Sequence, residues 1–264
     1  MRIVKSVLQR GTRALHRLFL RRSLPRRVGL CLHSLERREY GAFRTMVGVL
    51  RGEGYRFVDA DEFLASPHGR CAYLTFDDNY RSWHRALALL DELEVRATFY
   101  VNTRYFRDWA SPSEIEDFYD RLEYDGERVP LTTSELLDLD EAGHTIGAHT
   151  HSHRALASLP PEEAKREVRR SKEVLEALLG KRIRHFSYPY GMRRHFTEGL
   201  RDYCLQIGFD TVANAIPGLQ HAPQTPDRIH RVAWHFRKPP SYNLDSIRID
   251  GRYFERLTGR SATG

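Results

Sequence analysis

The chain has 264 residues, of which 41% are hydrophobic and 29% charged, and its formal charge is +7. That length is enough to bury a real core, in one large domain or two small ones. The composition is that of an ordinary globular protein, and no apolar run reaches the roughly 18–20 residues of a membrane-spanning helix, which excludes a protein built on such helices.

The charge sits at the start of the chain. Residues 1–30 carry Arg2, Lys5, Arg10, Arg13, Arg17, Arg21, Arg22, Arg26 and Arg27 and no acid, so nine positive charges stand against a total of +7 and the remainder is about −2 (7 − 9). Residues 1–27 therefore read as a basic arm. Within it Ile3, Val4, Val7, Leu8, Ala14, Leu15, Leu18 and Phe19 recur near helical spacing. Such a helix can lie on an anionic membrane surface or pack its apolar side on the domain. Arg and Lys interrupt every apolar stretch, leaving no secretory core segment. The expected location is the cytoplasm, with a peripheral contact at the inner face of the membrane. No helix-turn-helix pattern or aromatic-studded basic surface accompanies the charge, so nucleic acid is not an expected partner. Cys31, Cys71 and Cys204 are odd in number and far apart, which predicts reduced, buried thiols rather than a disulfide framework.

Residues 28–264 read as one domain, with strands and helices in alternation. Val28–Leu32 is a short apolar run before His33. Tyr40–Leu50 reads as a helix closed by Gly52 and Gly54. Cys71–Phe76 is a strand that ends at Asp77. Trp83–Leu93 has helical spacing, and Ala97–Val101 is rich in strand formers. Residues 102–130 are predicted to be an insertion, either covering a site or passing over the surface. Ser134–Ala142 is a helix that Thr132 or Thr133 caps. Thr145–Ala148 is a strand leading into histidines, and Pro161–Leu179 a long helix with proline at its start and Gly180 past its end. Phe186–Tyr190 is a strand end, and Phe196–Ile207, Thr211–Ala213 and Arg231–Trp234 continue the alternation. Such a pattern implies a mostly parallel α/β sheet with helices outside it and a site at the carboxyl ends of the strands.

Three segments can carry chemistry. Asp77 and Asp78 end an apolar strand, which is costly unless positive charge lies nearby. One can ligate a metal while the other acts as a base, or the pair can begin a helix as an N-cap. His149 and His153 are four apart, a spacing that puts two imidazoles on one metal, with His151 free to point elsewhere. Two His and one Asp leave positions open, as catalytic zinc sites do. In Phe186–Gly191, Pro189 fixes a torsion and Gly191 permits an unusual turn, which can aim a backbone N–H into a site.

Together these segments resemble the polysaccharide deacetylase family, the NodB-like carbohydrate esterases. Thr75–Asp78 is similar to its TFDD motif, His149–His153 to its H-[ST]-x-x-H motif, and Tyr188–Gly191 to the variant of its third motif that reads YPYG. Ala97–Tyr100, Ala142–Gly147 and Ser171–Gly180 also match, and the resemblance covers about residues 28–235. It implies a distorted (β/α) barrel of about seven strands. It also implies a divalent metal, usually zinc with cobalt or nickel as alternatives, on Asp78, His149 and His153. Asp77 would be the general base and the Tyr190 N–H, in the turn that Pro189 fixes, would hold the oxyanion. Many members carry Arg where this chain has Ser187; Arg231 resembles the late Arg of the YPYG branch and would take its place. The late histidine acid is not obvious. His33 resembles the acid of the branch that carries it on the first strand, and His235 is a candidate by position.

The implied reaction is removal of the N-acetyl group of an amino sugar, with release of acetate, from an oligosaccharide or a lipid-linked glycan precursor. Two alternatives are a catalytically silent glycan-binding protein of the same fold and a deformylase or amidase acting on another amide. Trp83, Trp109 and Trp234 can stack on sugar rings or pack in the core.

Overall fold

The computed structural model describes residues 22–65 and 69–252. Most of the predicted arm lies outside these residues. Eight strands form one parallel sheet: β1 (Arg27–Leu32), β2 (Tyr55–Val58), β3 (Arg70–Asp78), β4 (Thr98–Val101), β5 (Thr145–Ala148), β6 (His185–Ser187), β7 (Thr211–Asn214) and β8 (Ile229–Ala233). Among the described residues the α-helices are α1 (Tyr40–Gly52), α2 (Ala60–Ala65), α3 (Ser82–Arg85), α4 (Leu87–Glu92), α5 (Pro112–Arg121), α6 (Thr133–Glu141), α7 (Pro161–Leu179), α8 (Glu198–Gln206) and α9 (Pro240–Arg248).

The sheet runs β1-β8-β7-β6-β5-β4-β3-β2, and β1 also pairs with β3, which closes it. β1 occupies one edge of β3 from Cys71 to Phe76. A strand has only two edges, so β2, along residues 70–73, and β4, along residues 75–78, share the other. The barrel proper is therefore seven-stranded, as expected from the sequence, and β2 is a spur beside the start of β3.

Side chains alternate along each strand, and the two core clusters follow that alternation. Ala72, Leu74 and Phe76 of β3 join the large cluster under the helices, with Val28, Leu30 and Leu32 of β1 and Ile146 and Ala148 of β5. Cys71 and Tyr73 join a small cluster with Tyr100, Ala213 and Ile229, which plugs the barrel. Continuing the inward rows gives Cys31 from β1 and His33 just after it, Thr75 and Asp77 from β3, His149 after β5, Ser187 from β6 and Arg231 from β8. Gly147 belongs to the same row: a Cβ there would lie 2.6 Å from the Tyr100 ring, so only glycine lets that ring fill the barrel.

Helix ends follow their capping residues. Thr132 caps α6, accepting from Glu135 N–H while the Glu135 carboxylate returns to Thr132 N–H. Gly180 ends α7 at φ +63 with its N–H on the Glu176 carbonyl. Three expectations change. The helix predicted over Trp83–Leu93 is two short helices separated at Ala86. The helix-cap reading of Asp77 and Asp78 fails, because both belong to β3 and α3 begins after Arg81. Trp83 and Trp234 are core residues, at 0% and 6% exposure, so neither can stack on a sugar; Trp109 is exposed.

Residues 22–26 pack against the domain. Arg22 N–H donates to Arg248 O and Leu24 is buried. All three thiols are free and buried. No described helix is long and apolar enough to cross a membrane.

Candidate active site

The inward rows meet at the carboxyl ends of the strands, in a cleft of about 600 Å³ that Asp77, Asp78, His33, His149, His153 and Tyr190 line. Asp77 faces the barrel axis and is 4% exposed. A buried carboxylate demands compensation, and Arg231 supplies it. Arg231 Nη1 lies 2.6 Å from Asp77 Oδ1 and Nη2 lies 2.8 Å from Oδ2, a two-pronged pairing. The guanidinium is wholly buried, donates also to Thr75 Oγ1 at 2.7 Å, Ser187 Oγ at 2.5 Å and Asn214 O at 2.9 Å, and lies 5.1 Å from the Tyr100 ring centre. Burial pushes the Asp77 carboxyl up, but Arg231 first and His149 next outweigh it and hold it below the usual carboxylate range. Arg231 thus stands where the sequence expects the guanidinium displaced from position 187, and Ser187 Oγ contacts Asp77 Oδ2 at 3.3 Å.

Alternation would turn Asp78 to the helix side. Its φ of +87 breaks the strand geometry, and its carboxylate meets the histidines instead. Asp78 Oδ1 is 3.1 Å from His153 Nε2 and 3.4 Å from His149 Nε2. Yet Oδ1 makes no hydrogen bond, and it is buried. His149 Nδ1 lies 2.8 Å from the Ser187 carbonyl, which accepts only, so Nδ1 carries the proton and Nε2 presents a lone pair. Two buried acceptors facing each other repel unless a cation lies between them. One ligand atom from each of Asp78, His149 and His153 falls within 4.8 Å of the others. The donor set of one carboxylate oxygen and two imidazole nitrogens is that of an open divalent-metal site, so these residues fit the metal the sequence implies. Tyr80 donates its hydroxyl to Asp78 Oδ2 at 3.1 Å, orienting the other oxygen.

The remaining predicted residues fall on or beside the cleft. His33 lines it, on the exposed end of the β1 row. His235 lines a separate cavity with Tyr242 and Asp245. His151 points away, its Nδ1 within 2.9 Å of Thr103 Oγ1. Pro189 is buried, while Tyr190 is 47% exposed with its ring edge-on to His153. Tyr190 and Gly191 take φ of +64 and +62 in succession. A Cβ on Gly191 would lie 2.5 Å from the Ala215 Cβ, so glycine is required there twice over. Asp78, His153, Tyr190 and Glu123 all line the cleft with positive φ. Such backbone costs on the order of 1–3 kcal/mol per residue and clusters where geometry must be held.

The insertion covers the site. Arg121, Glu123 and Tyr124 line the cleft. Asn79, next to the aspartates, anchors the segment: it accepts from Leu131 N–H at 2.9 Å and, through its carbonyl, from Tyr119 OH at 2.8 Å. Cys31 was expected only as a buried thiol; its Sγ lies 3.6 Å from Asp77 Oδ2. The sequence signal for it is its place two residues before His33, on the same inward row.

Comparison with known proteins agrees with this geometry. The polysaccharide deacetylase family profile matches residues 65–212, more than half of the chain. A Bacillus subtilis (strain 168) protein named for the polysaccharide deacetylases, YxkH, is 22% identical over 63% of this chain and 52% of its own length. A chitin deacetylase of Pestalotiopsis sp is 31% identical over 44% of this chain and 33% of its own. The chain thus spans about half the length of the first relative and a third of the second. Among solved structures, the Streptococcus pyogenes deacetylase PplD shares the fold with a TM-score of 0.63 at 17% identity, over 86% of this chain and 99% of that one. IcaB from Ammonifex degensii gives 0.63 at 22% identity, over 84% and 96%. With motif residues gathered at one barrel mouth and the family profile running through them, this chain belongs to the polysaccharide deacetylase family.

Proposed function

We propose that this protein hydrolyses the N-acetyl group of an amino sugar in a glycan or lipid-linked glycan precursor, releasing acetate, with a divalent metal, zinc foremost and cobalt or nickel as substitutes. One observation carries the reading: a buried, unpartnered Asp78 oxygen facing two imidazole nitrogens, beside a second carboxylate locked by a guanidinium. When bound by Asp78, His149 and His153, the metal supplies Lewis acidity to the amide carbonyl and makes water more acidic.

The chain's own residues do the rest. Arg231 keeps Asp77 ionised and fixes its plane, so the carboxylate can take a proton from the attacking water. The Tyr190 N–H, in the turn set by Pro189 and Gly191, donates to the developing oxyanion; loss of one such donor typically costs about 10²–10³ in rate. His33, on the same cleft wall row as Asp77, gives a proton to the departing amine. Tyr80 holds Asp78 in its ligating orientation. The cleft volume of about 600 Å³ suits a sugar ring with its substituents.

The proposal extends to organisation and place. Residues 28–264 form the catalytic domain, with residues 22–27 packed on it, and the basic segment before them makes a peripheral contact with the inner face of the membrane in the cytoplasm. The support is the run of nine basic residues without an acid in residues 1–30. The test of function is acetate release from N-acetyl sugars, nucleotide sugars, lipid-linked sugars and chitin oligomers, each with and without zinc. Zinc-dependent acetate from one of them is the expected result. Formate release instead, or binding without turnover, overturns the reaction assigned here.

A further inference from the structure

We propose that a second cavity, between β7, β8 and α8, binds the phosphate group of a small molecule. It encloses about 470 Å³, and Arg193, Arg201, Arg228 and Arg252 converge on it. Glu198 pairs with Arg201 and Arg228, Asp227 with Arg228, and Asp250 with Arg252 and Arg22. Four guanidiniums line the wall, and the three carboxylates paired among them leave an excess of +1 (4 − 3), with Arg22 beyond the lining as a second partner of Asp250. Among the described residues Arg193 has no carboxylate partner. That excess favours an anion, and guanidinium forks match the oxygens of phosphate.

The cavity also holds a neutral imidazole. Asn214 Oδ1 accepts from Ile216 N–H, and the Asn214 amide meets His230 Nδ1, with Nδ2 at 3.0 Å and Oδ1 at 3.3 Å. Burial and the four guanidiniums hold this imidazole down to about 4, so it stays neutral at ordinary pH. A neutral imidazole within the cationic ring adds a polar wall to the cavity without further charge repulsion among the guanidiniums. The site is distinct from the catalytic cleft but shares its partition: Tyr190, Gly191 and Ala215 face the cleft, while Tyr188, Arg193 and Asn214 face this cavity.

The test is isothermal titration of the full-length, chelator-stripped chain with inorganic phosphate, then with N-acetylglucosamine 1-phosphate, at low ionic strength. Saturable binding is expected, weakened about tenfold or more by Arg193→Ala. Arg194→Ala, an exposed neighbour outside the cavity, and His153→Ala, in the catalytic cluster, should leave it unchanged. A sugar phosphate that binds tenfold tighter than inorganic phosphate identifies the source as a phosphorylated sugar; equal binding identifies free phosphate. No saturable binding, indifference to Arg193→Ala, or equal binding of acetate at matched ionic strength overturns the proposal.

Discussion

Replacing Arg231 with Gln removes a fully buried guanidinium from Asp77, Thr75, Ser187 and Asn214 at once. Asp77, itself 4% exposed, keeps a buried charge with no counter-ion on the barrel axis. Removing one partner of a buried pair costs about 3–5 kcal/mol, because the other charge stays desolvated. Against a typical stability of about 5–15 kcal/mol, the variant should fold but unfold at markedly lower urea. Activity should fall further than stability suggests, since Asp77 loses both anchors of its plane and a displacement of about 1 Å can cost about 10²-fold. Metal content should persist, because Asp78, His149 and His153 are untouched. The paired variant Ser187→Arg with Arg231→Gln returns a guanidinium to Asp77 from β6, where Ser187 Oγ already sits 3.3 Å from that carboxylate. Urea unfolding, metal analysis and acetate release on the single and double variants complete the cycle. The double variant should recover more than 1 kcal/mol and more than tenfold in rate relative to Arg231→Gln, by the coupling expected of residues in contact, about 0.5–3 kcal/mol. If Arg231→Gln matches the wild type in both stability and rate, the account of Asp77 is wrong.

Three further outcomes follow from the same geometry. His149→Ala and His153→Ala should each lose bound zinc in metal analysis; unchanged stoichiometry in either removes it from the ligand set. His33→Ala should retain zinc and slow turnover most for substrates with poor amine leaving groups; a fully active variant moves the acid role elsewhere. Stability should fall in acid through His144 and His185, whose imidazoles burial holds down to about 4 from an ordinary 6.5. The unfolded chain binds more protons than the native one in that interval, so stability is full above about 6.5 and declines as pH drops toward about 4, by on the order of 2–3 kcal/mol for each group. Urea midpoints that stay flat from pH 7 to pH 4 would contradict this.

The barrel was legible because its strands are short, apolar and separated by helices with strong caps, as at Thr132 and Gly180. Asp77, Asp78, His149 and His153 were legible because each lies within a few residues of a strand end, so local spacing carried the signal. Arg231 was reachable only through resemblance, since it lies 154 positions from Asp77 and no local pattern ties them. Cys31, Tyr80 and the cleft-lining Arg121, Glu123 and Tyr124 were missed for the opposite reason. Their roles depend on which way a side chain turns and how an insertion folds back, which Asn79 decides through two hydrogen bonds. The break at Ala86 was also hidden, because Leu87, Leu90 and Leu93 keep helical spacing across it.

The most direct test of the central claim compares wild type and Asp77→Asn after chelation and zinc restoration, reading zinc content and acetate release together. Wild type should release acetate only once zinc returns, whereas Asp77→Asn should bind the same zinc and release none. Acetate from the stripped wild type, or sustained turnover by Asp77→Asn, would contradict a metal-dependent hydrolase in which Asp78 holds the metal and Asp77 takes the proton.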